Sequence, residues 1–263
     1  MGNSLTKISD QQIEDFCKKC RPLDILVFSG TDGVSRLIKT LQKEELGSGQ
    51  VSHVEIVMTP EWCQKITEVK KYFEAYNHVE VIKPHPKYLL SWGSELSGKL
   101  NDGVADGETG GVTFGVQFRD LKELARAYAD RPGANIGICR LINNPTEVLT
   151  DEVDREALKK KLSEAYDKYK NITYDYNILN LLASLYPELR GARDLLEKLL
   201  KPVVKKDTFM FCSEFAASLF IDLGIVEGKD INPENIVPQD FVGHDTGSDT
   251  LRKKICEDPI WLK

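Results

Sequence analysis

Long apolar runs are missing from this 263-residue chain. No stretch approaches the ~20 consecutive apolar residues that a membrane-spanning helix needs. The amino terminus also lacks the apolar core of a secretory signal peptide. Basic charge is in deficit: 35 Lys and Arg stand against 41 Asp and Glu, a formal net charge of -6. That balance argues against nucleic acid as a partner, because phosphate binding needs a basic surface. Histidine is scarce, with four residues, which leaves a short roster of imidazole bases. Six cysteines in a chain of this length and without a secretory signal do not read as a disulfide framework. The expectation is a cytoplasmic protein whose cysteines stay thiols.

What the chain does have begins at its first residues. Met-Gly-Asn-Ser-Leu-Thr fits the N-myristoylation pattern, with Gly2 as the acceptor. One myristoyl chain gives only marginal membrane binding, so a peripheral membrane location needs a second signal; Lys7, Lys18, Lys19 and Arg21 supply nearby positive charge. Cys17 and Cys20 form a lone C-x-x-C. A structural zinc site needs four ligands, and no second close pair follows. They read as incidental thiols on a solvent-facing helix over 9–20, within an N-terminal segment at 1–21 ahead of a single domain at 22–263.

Hydrophobic periodicity sets the rest of the order. The run at 23–29 (LDILVFS) and the β-branched run at 51–58 (VSHVEIVM) predict strands. Between them, Val34, Leu37, Ile38 and Leu41 share one helical face. Further strand signals lie at 72–76, 79–82, 112–118 and 136–141, with a helix at 121–129. The polar, glycine-rich stretch 93–111 reads as a mobile surface loop. An amphipathic helix is expected over 151–170, its inner face marked by Val153, Leu158, Leu162, Ala165, Tyr166 and Tyr169. A leucine-rich helical stretch fills 177–200, open to reading as a lid, a membrane contact or plain core. A last apolar helix, 212–223, stops at Gly224. The fold class is α+β.

One cysteine stands where chemistry is easy. The apolar stretch Phe209-Met210-Phe211 runs into Cys212, and helical spacing starts immediately afterwards. A helix N-terminus presents unpaired backbone N–H groups and the positive end of the dipole, which favour a thiolate and an oxyanion alike. A thiolate nucleophile needs a basic partner. His78, His85 and His244 lie in turns or loops, whereas His53 lies inside a strand that would aim its ring. Both residues also have an inert reading: a satisfied strand histidine and a small buried hydrophobe.

Leu23-Asp24-Ile25-Leu26-Val27-Phe28, Ser52-His53-Val54-Glu55-Ile56-Val57, Phe73-Glu74-Ala75 and Phe211-Cys212-Ser213-Glu214-Phe215 together resemble the circularly permuted NlpC/P60 papain-like proteins. The YiiX-like branch, in which the histidine strand precedes the cysteine helix, is the nearest in pattern. Tyr174-Asp175-Tyr176 is similar to a Tyr-Asp segment of the same family. The resemblance spans about residues 22–245. It implies a permuted papain-like fold, an antiparallel sheet packed on helices with an extra helical insertion. It also implies a Cys212 nucleophile, a His53 base and a third residue orienting the imidazole, by position Glu74. Glu55, two residues from His53 on one strand, is the poorer candidate for that role, and Glu214 reads as a first-turn carboxylate. The implied activity is hydrolysis of an amide, ester or thioester bond in a peptide or lipid, without a metal or organic cofactor. The alternatives are a membrane-associated acyltransferase or phospholipase of the same fold, and a non-enzymatic membrane adaptor.

Overall fold

Two alternating patterns in the β-branched runs give the sheet two apolar faces, and each face recruits its own helices. The computed structural model describes residues 8–46, 49–59, 61–63, 89–95, 103–107, 111, 115–174, 209–229, 231–242, 251 and 255–262. The predicted elements at 72–82 and 177–200, the acceptor Gly2 and the candidate Glu74 lie outside these residues.

The described elements run α1 (Asp10–Lys19), β1 (Ile25–Ser29), α2 (Gly33–Leu46), β2 (His53–Met58), β3 (Leu90–Glu95), β4 (Gly115–Asp120), α3 (Leu121–Ala129), β5 (Asn135–Cys139), α4 (Pro145–Val148), α5 (Glu152–Tyr169), β6 (Thr173–Tyr174), β7 (Phe209–Met210), α6 (Cys212–Leu223) and β8 (Ile260–Trp261). Six strands form one sheet in the order β4-β3-β2-β1-β5-β8, and every neighbouring pair is antiparallel. β6 and β7 pair separately and in parallel. The class is α+β, with an antiparallel sheet between helices.

Register decides which side chains share a face. On β1 and β2, Ile25 pairs with Ile56 and Val27 with Val54, while Leu26 pairs with Glu55 and Phe28 with His53. Because side chains alternate along a strand, Ile25, Val27, Val54 and Ile56 face one side. There they join Trp92 and Phe118, the α5 residues Leu158, Leu162 and Tyr166, and the α6 residues Cys212, Phe215, Leu219 and Phe220 in one apolar cluster. Leu26, Phe28 and Val57 face the other side, with Ile13 and Phe16 of α1 and Leu121, Leu124 and Tyr128 of α3.

Local signals explain the helices. Ser9 caps α1, its hydroxyl accepting from the Gln12 N–H while the Gln12 side chain bonds back to the Ser9 N–H. Ile13 and Phe16 are buried and Cys20 is buried behind them, so this helix is not solvent-facing all round. Lys122–Glu14 and Arg126–Asp10 ion pairs hold it along α3. Residues from Asp10 onward thus belong to the same packed unit as the sheet.

α3 and α6 occupy 121–129 and 212–223 as their periodicity predicts. α6 ends at Gly224 with φ +76°, a left-handed cap that a side chain would strain. Two sequence expectations need correction. Residues 93–95, read as surface loop, complete β3, and Trp92, Gly93 and Ser94 there are buried. Val153, read as inward-facing, is 76% exposed, because the inner stripe of α5 starts a turn later at Leu158. No helix among the described residues is long and apolar enough to cross a membrane.

Candidate active site

β7 delivers the chain to Phe211, whose extended backbone (φ -74°, ψ 162°) turns directly into α6. Cys212 is therefore the first residue of a twelve-residue helix. Phe211 offers no side-chain cap to that helix, so the first-turn N–H groups have no capping acceptor from it. Glu214 turns back and accepts from the Phe211 N–H at 3.3 Å. Ser213 donates to the Ile236 carbonyl at 2.7 Å, and Ser94 of β3 donates to the Met210 carbonyl at 2.7 Å. These two bonds tie the helix entry to β3 on one side and to the 3₁₀ turns at Pro233–Asn235 and Pro238–Phe241 on the other. The Cys212 side chain is buried within the apolar cluster on the α5/α6 side.

His53 opens β2 and faces Phe28, their ring centroids 5.2 Å apart. Phe28 in turn packs on Tyr128 of α3 at 4.9 Å. The imidazole Nε2 lies 2.8 Å from Glu55 Oε1. Residues i and i+2 share a face of a strand, and the Glu55 side chain is long enough to reach back along it. Ser91 donates to the other carboxylate oxygen, and Arg119 forms an ion pair with Oε1. Gly93 makes room: a Cβ there would lie 2.4 Å from Glu55 Cγ. Glu55, Ser91 and Arg119 are all fully buried.

Burial by itself would raise the Glu55 pKa. The Arg119 charge, then the hydrogen bonds from His53 and Ser91, outweigh it and hold the carboxyl down at about 2. The result is a permanently ionised carboxylate gripping one nitrogen of an imidazole. That arrangement fixes ring orientation and stabilises an imidazolium.

Among the described residues, Glu55 is thus the carboxylate that holds the His53 ring. Glu55, the poorer candidate from sequence, reaches His53 from two residues along the same strand, with the glycine at 93 opposite it. Glu74 is outside the described residues. Ser91 and Arg119 were missed, and the available signal was weak: a lone arginine inside an otherwise strand-like GVQFRD, and a serine just ahead of the stretch read as loop.

The nucleophile candidate and this pair are not on the same side of the sheet. His53, Glu55 and Phe28 front the α1/α3 side, whereas Cys212 packs with Val54 and Ile56 on the α5/α6 side. His53 is the first residue of β2, and α6 packs directly on β2 and β3.

The six cysteines are all thiols. Among the described residues, no group of three or more His, Cys, Asp or Glu could hold a metal ion. No protein-family model and no curated protein matches the chain.

Proposed function

We propose that the chain is a cysteine-dependent hydrolase of amide, ester or thioester bonds on a permuted NlpC/P60-like fold. Cys212 is the nucleophile, His53 the acid–base group, and Glu55 the carboxylate that orients the ring. The observation that carries the reading is the buried His53–Glu55 contact of 2.8 Å, with Glu55 kept ionised by Arg119. A charged carboxylate is expensive to bury, and one kept ionised by Arg119 against an imidazole nitrogen is the arrangement an acid–base histidine uses. Cys212 adds the second element, a thiol at a helix N-terminus whose N–H groups can receive developing negative charge.

Reaction requires the His53 ring to meet the sulfur around the end of β2. That end is where the strand gives way to the irregular residues 49–52. A histidine at the rim has such a route, and one in mid-strand has none. Acyl transfer then gives a thioester on Cys212, which passes its acyl group to water, or to an alcohol or amine if the acceptor is a lipid. A myristoyl group on Gly2 would bring the protein to that lipid.

The experiment is intact-mass analysis after incubation with p-nitrophenyl butyrate and, separately, with phosphatidylcholine vesicles. The reading expects an acyl adduct on Cys212, absent in Cys212→Ser and retained in Cys256→Ser. Absence of any adduct, together with ester turnover equal in Cys212→Ser and wild type, would sink it. Within the same assay, Glu55→Gln and Glu74→Gln separate the two candidate orienting carboxylates.

A second reading, a non-enzymatic membrane adaptor, is favoured by one observation: the sheet stands between the imidazole and the thiol. On that reading His53, Glu55, Ser91 and Arg119 are a buried polar network that fixes strand register, and Cys212 is core.

A further inference from the structure

Lys39 of α2 reaches back over the end of β1. The chain leaves β1 at Ser29, turns through Gly30–Asp32 and enters α2 at Gly33. Lys39 Nζ then donates to the Gly30 carbonyl at 2.7 Å and to Ser29 Oγ at 3.2 Å. Both acceptors are neutral. Arg36 stands three residues earlier, a spacing that puts two side chains on one helix face. Among the described residues, neither cation forms an ion pair. Asp32, the acid within the turn, accepts from the Ser35 N–H at 2.9 Å and from the Ser35 hydroxyl at 2.6 Å. Burial lowers the Lys39 pKa; the Asp32 charge opposes that shift and the Arg36 charge adds to it. Like charges at this spacing destabilise a helix, and a half-buried ammonium with neutral partners is costly to keep charged. An anion between Lys39 and Arg36 would offset both costs.

The turn beneath this pair is tied to His53. Gly30 donates its N–H to Ser52 Oγ at 3.0 Å, and the Ser52 N–H donates to the Phe28 carbonyl at 2.8 Å. Ser52 precedes His53, and Phe28 both pairs with His53 and faces its ring. Side chains alternate along β1, so Ser29 points away from Phe28, to the side of the sheet on which Cys212 packs. Gly30 lies two residues beyond Phe28, about 7 Å of extended chain. Adding the strand spacing puts the Lys39 ammonium roughly 10 Å from the His53 backbone. A short dicarboxylic acid with one hydrogen bond at its far end spans that interval.

We infer that Lys39 and Arg36 receive a negatively charged group, a carboxylate or a phosphate, carried by the substrate whose acyl carbon Cys212 attacks. The inference rests on the proposed hydrolase reading and narrows its substrate class. An ammonium has three donors; the Gly30 and Ser29 oxygens take two, and the anion accepts the third together with the Arg36 guanidinium. No bond is made or broken at this subsite. It holds the far end of the substrate while the acyl end lies toward His53.

The test compares p-nitrophenyl hexanoate with two charged esters of similar length, the mono-p-nitrophenyl ester of adipic acid and the carboxyl p-nitrophenyl ester of 5-phosphonopentanoic acid. The readout is the kcat/KM of each charged ester divided by that of the hexanoate. Wild type is expected to favour a charged ester by roughly tenfold or more, as a charge-assisted hydrogen bond provides, mainly through KM. The larger of the two ratios separates a carboxylate from a phosphate. Lys39→Met should bring the ratio close to unity, Arg36→Met should lower it less, and Lys39→Arg should keep most of it. A wild-type ratio close to unity for both charged esters overturns the inference while the hydrolase reading stands. If the ratio survives Lys39→Met while the rates with all three esters fall together or stay unchanged, Lys39 only braces the Gly30 turn, and the inference is again overturned. If wild type and Cys212→Ser turn over all three esters equally, the hydrolase reading falls and takes the inference with it.

Discussion

Replacing Arg119 with methionine isolates the interaction on which the site depends. In the parent protein the Glu55 carboxyl is fully buried, and its pKa falls from 4.5 to about 2. At 1.36 kcal/mol per pH unit, that difference of about 2.5 units corresponds to about 3 kcal/mol of stability. The folded pKa is depressed, so this contribution is present above pH 4.5 and is lost as the pH falls toward 2. Methionine keeps most of the arginine's apolar stem but removes the charge, which is the largest of the influences that oppose burial. Breaking a buried pair from one side costs about 3–5 kcal/mol. Arg119→Met is therefore expected to lose about that much at pH 7, and the gap to wild type should shrink as both are taken from pH 5 to pH 2.5, because only the parent loses its ionised-carboxylate stabilisation over that range. Urea unfolding followed by tryptophan fluorescence suits the measurement, since Trp92 is buried beside Ser91. The double variant Glu55→Gln/Arg119→Met, with no charge to bury, should recover most of the loss at pH 7. A gap that is below 1 kcal/mol at pH 7, or that stays constant down to pH 2.5, would refute the reasoning.

Two further outcomes follow from the same structure. Gly93→Ala places a Cβ 2.4 Å from Glu55 Cγ, which forces the carboxylate off His53 and costs about 1–3 kcal/mol as overpacking; a thermal midpoint equal to that of wild type would show that Glu55 has room to spare. Asp240 has its carboxyl pKa raised to about 6 by burial, against 3.8 ordinarily, although it accepts from the Val237 N–H. A raised folded pKa means that stability is lost as the pH climbs from about 4 to 6, so Asp240→Asn, which keeps the acceptor, should be more stable than wild type at pH 7 by about 1–2 kcal/mol after discounting for partial solvent contact. The same substitution should be neutral at pH 3.5, and a gain that is equal at both pH values would contradict the assignment.

Much of the architecture was legible in the chain because local and global signals agree. α3 follows an Asp120 cap and carries a clean apolar stripe, and α6 stops where Gly224 takes a positive φ. β3 was hidden for a physical reason. Ser91, Gly93 and Ser94 look like loop residues, yet they are buried because their partners are supplied from elsewhere: Glu55 for Ser91 and Gly93, the Met210 carbonyl for Ser94. Nothing local to 90–95 announces those partners.

The site was readable in part. Cys212 at a helix start and His53 on a strand follow from periodicity alone. Which face of β2 each would front depends on the packing of helices far away in sequence. Alternation puts His53 and Glu55 together and opposite Val54 and Ile56, but only the folded chain decides that α6 covers the latter pair. That Glu55 reaches the His53 ring depends on the glycine at 93 across the strand pair, which nothing local to 53–55 announces.

The central claim is that His53 and Cys212 act on one another. Its most direct measurement is the second-order rate of Cys212 alkylation by iodoacetamide at pH 7, in wild type and in His53→Ala, with the modified residue located by mass. The account predicts that Cys212 reacts faster than Cys256 in wild type and slows at least tenfold when the imidazole is removed. Equal rates with and without His53 would mean that the two groups never meet, leaving a buried polar network on one side of the sheet and an inert thiol on the other.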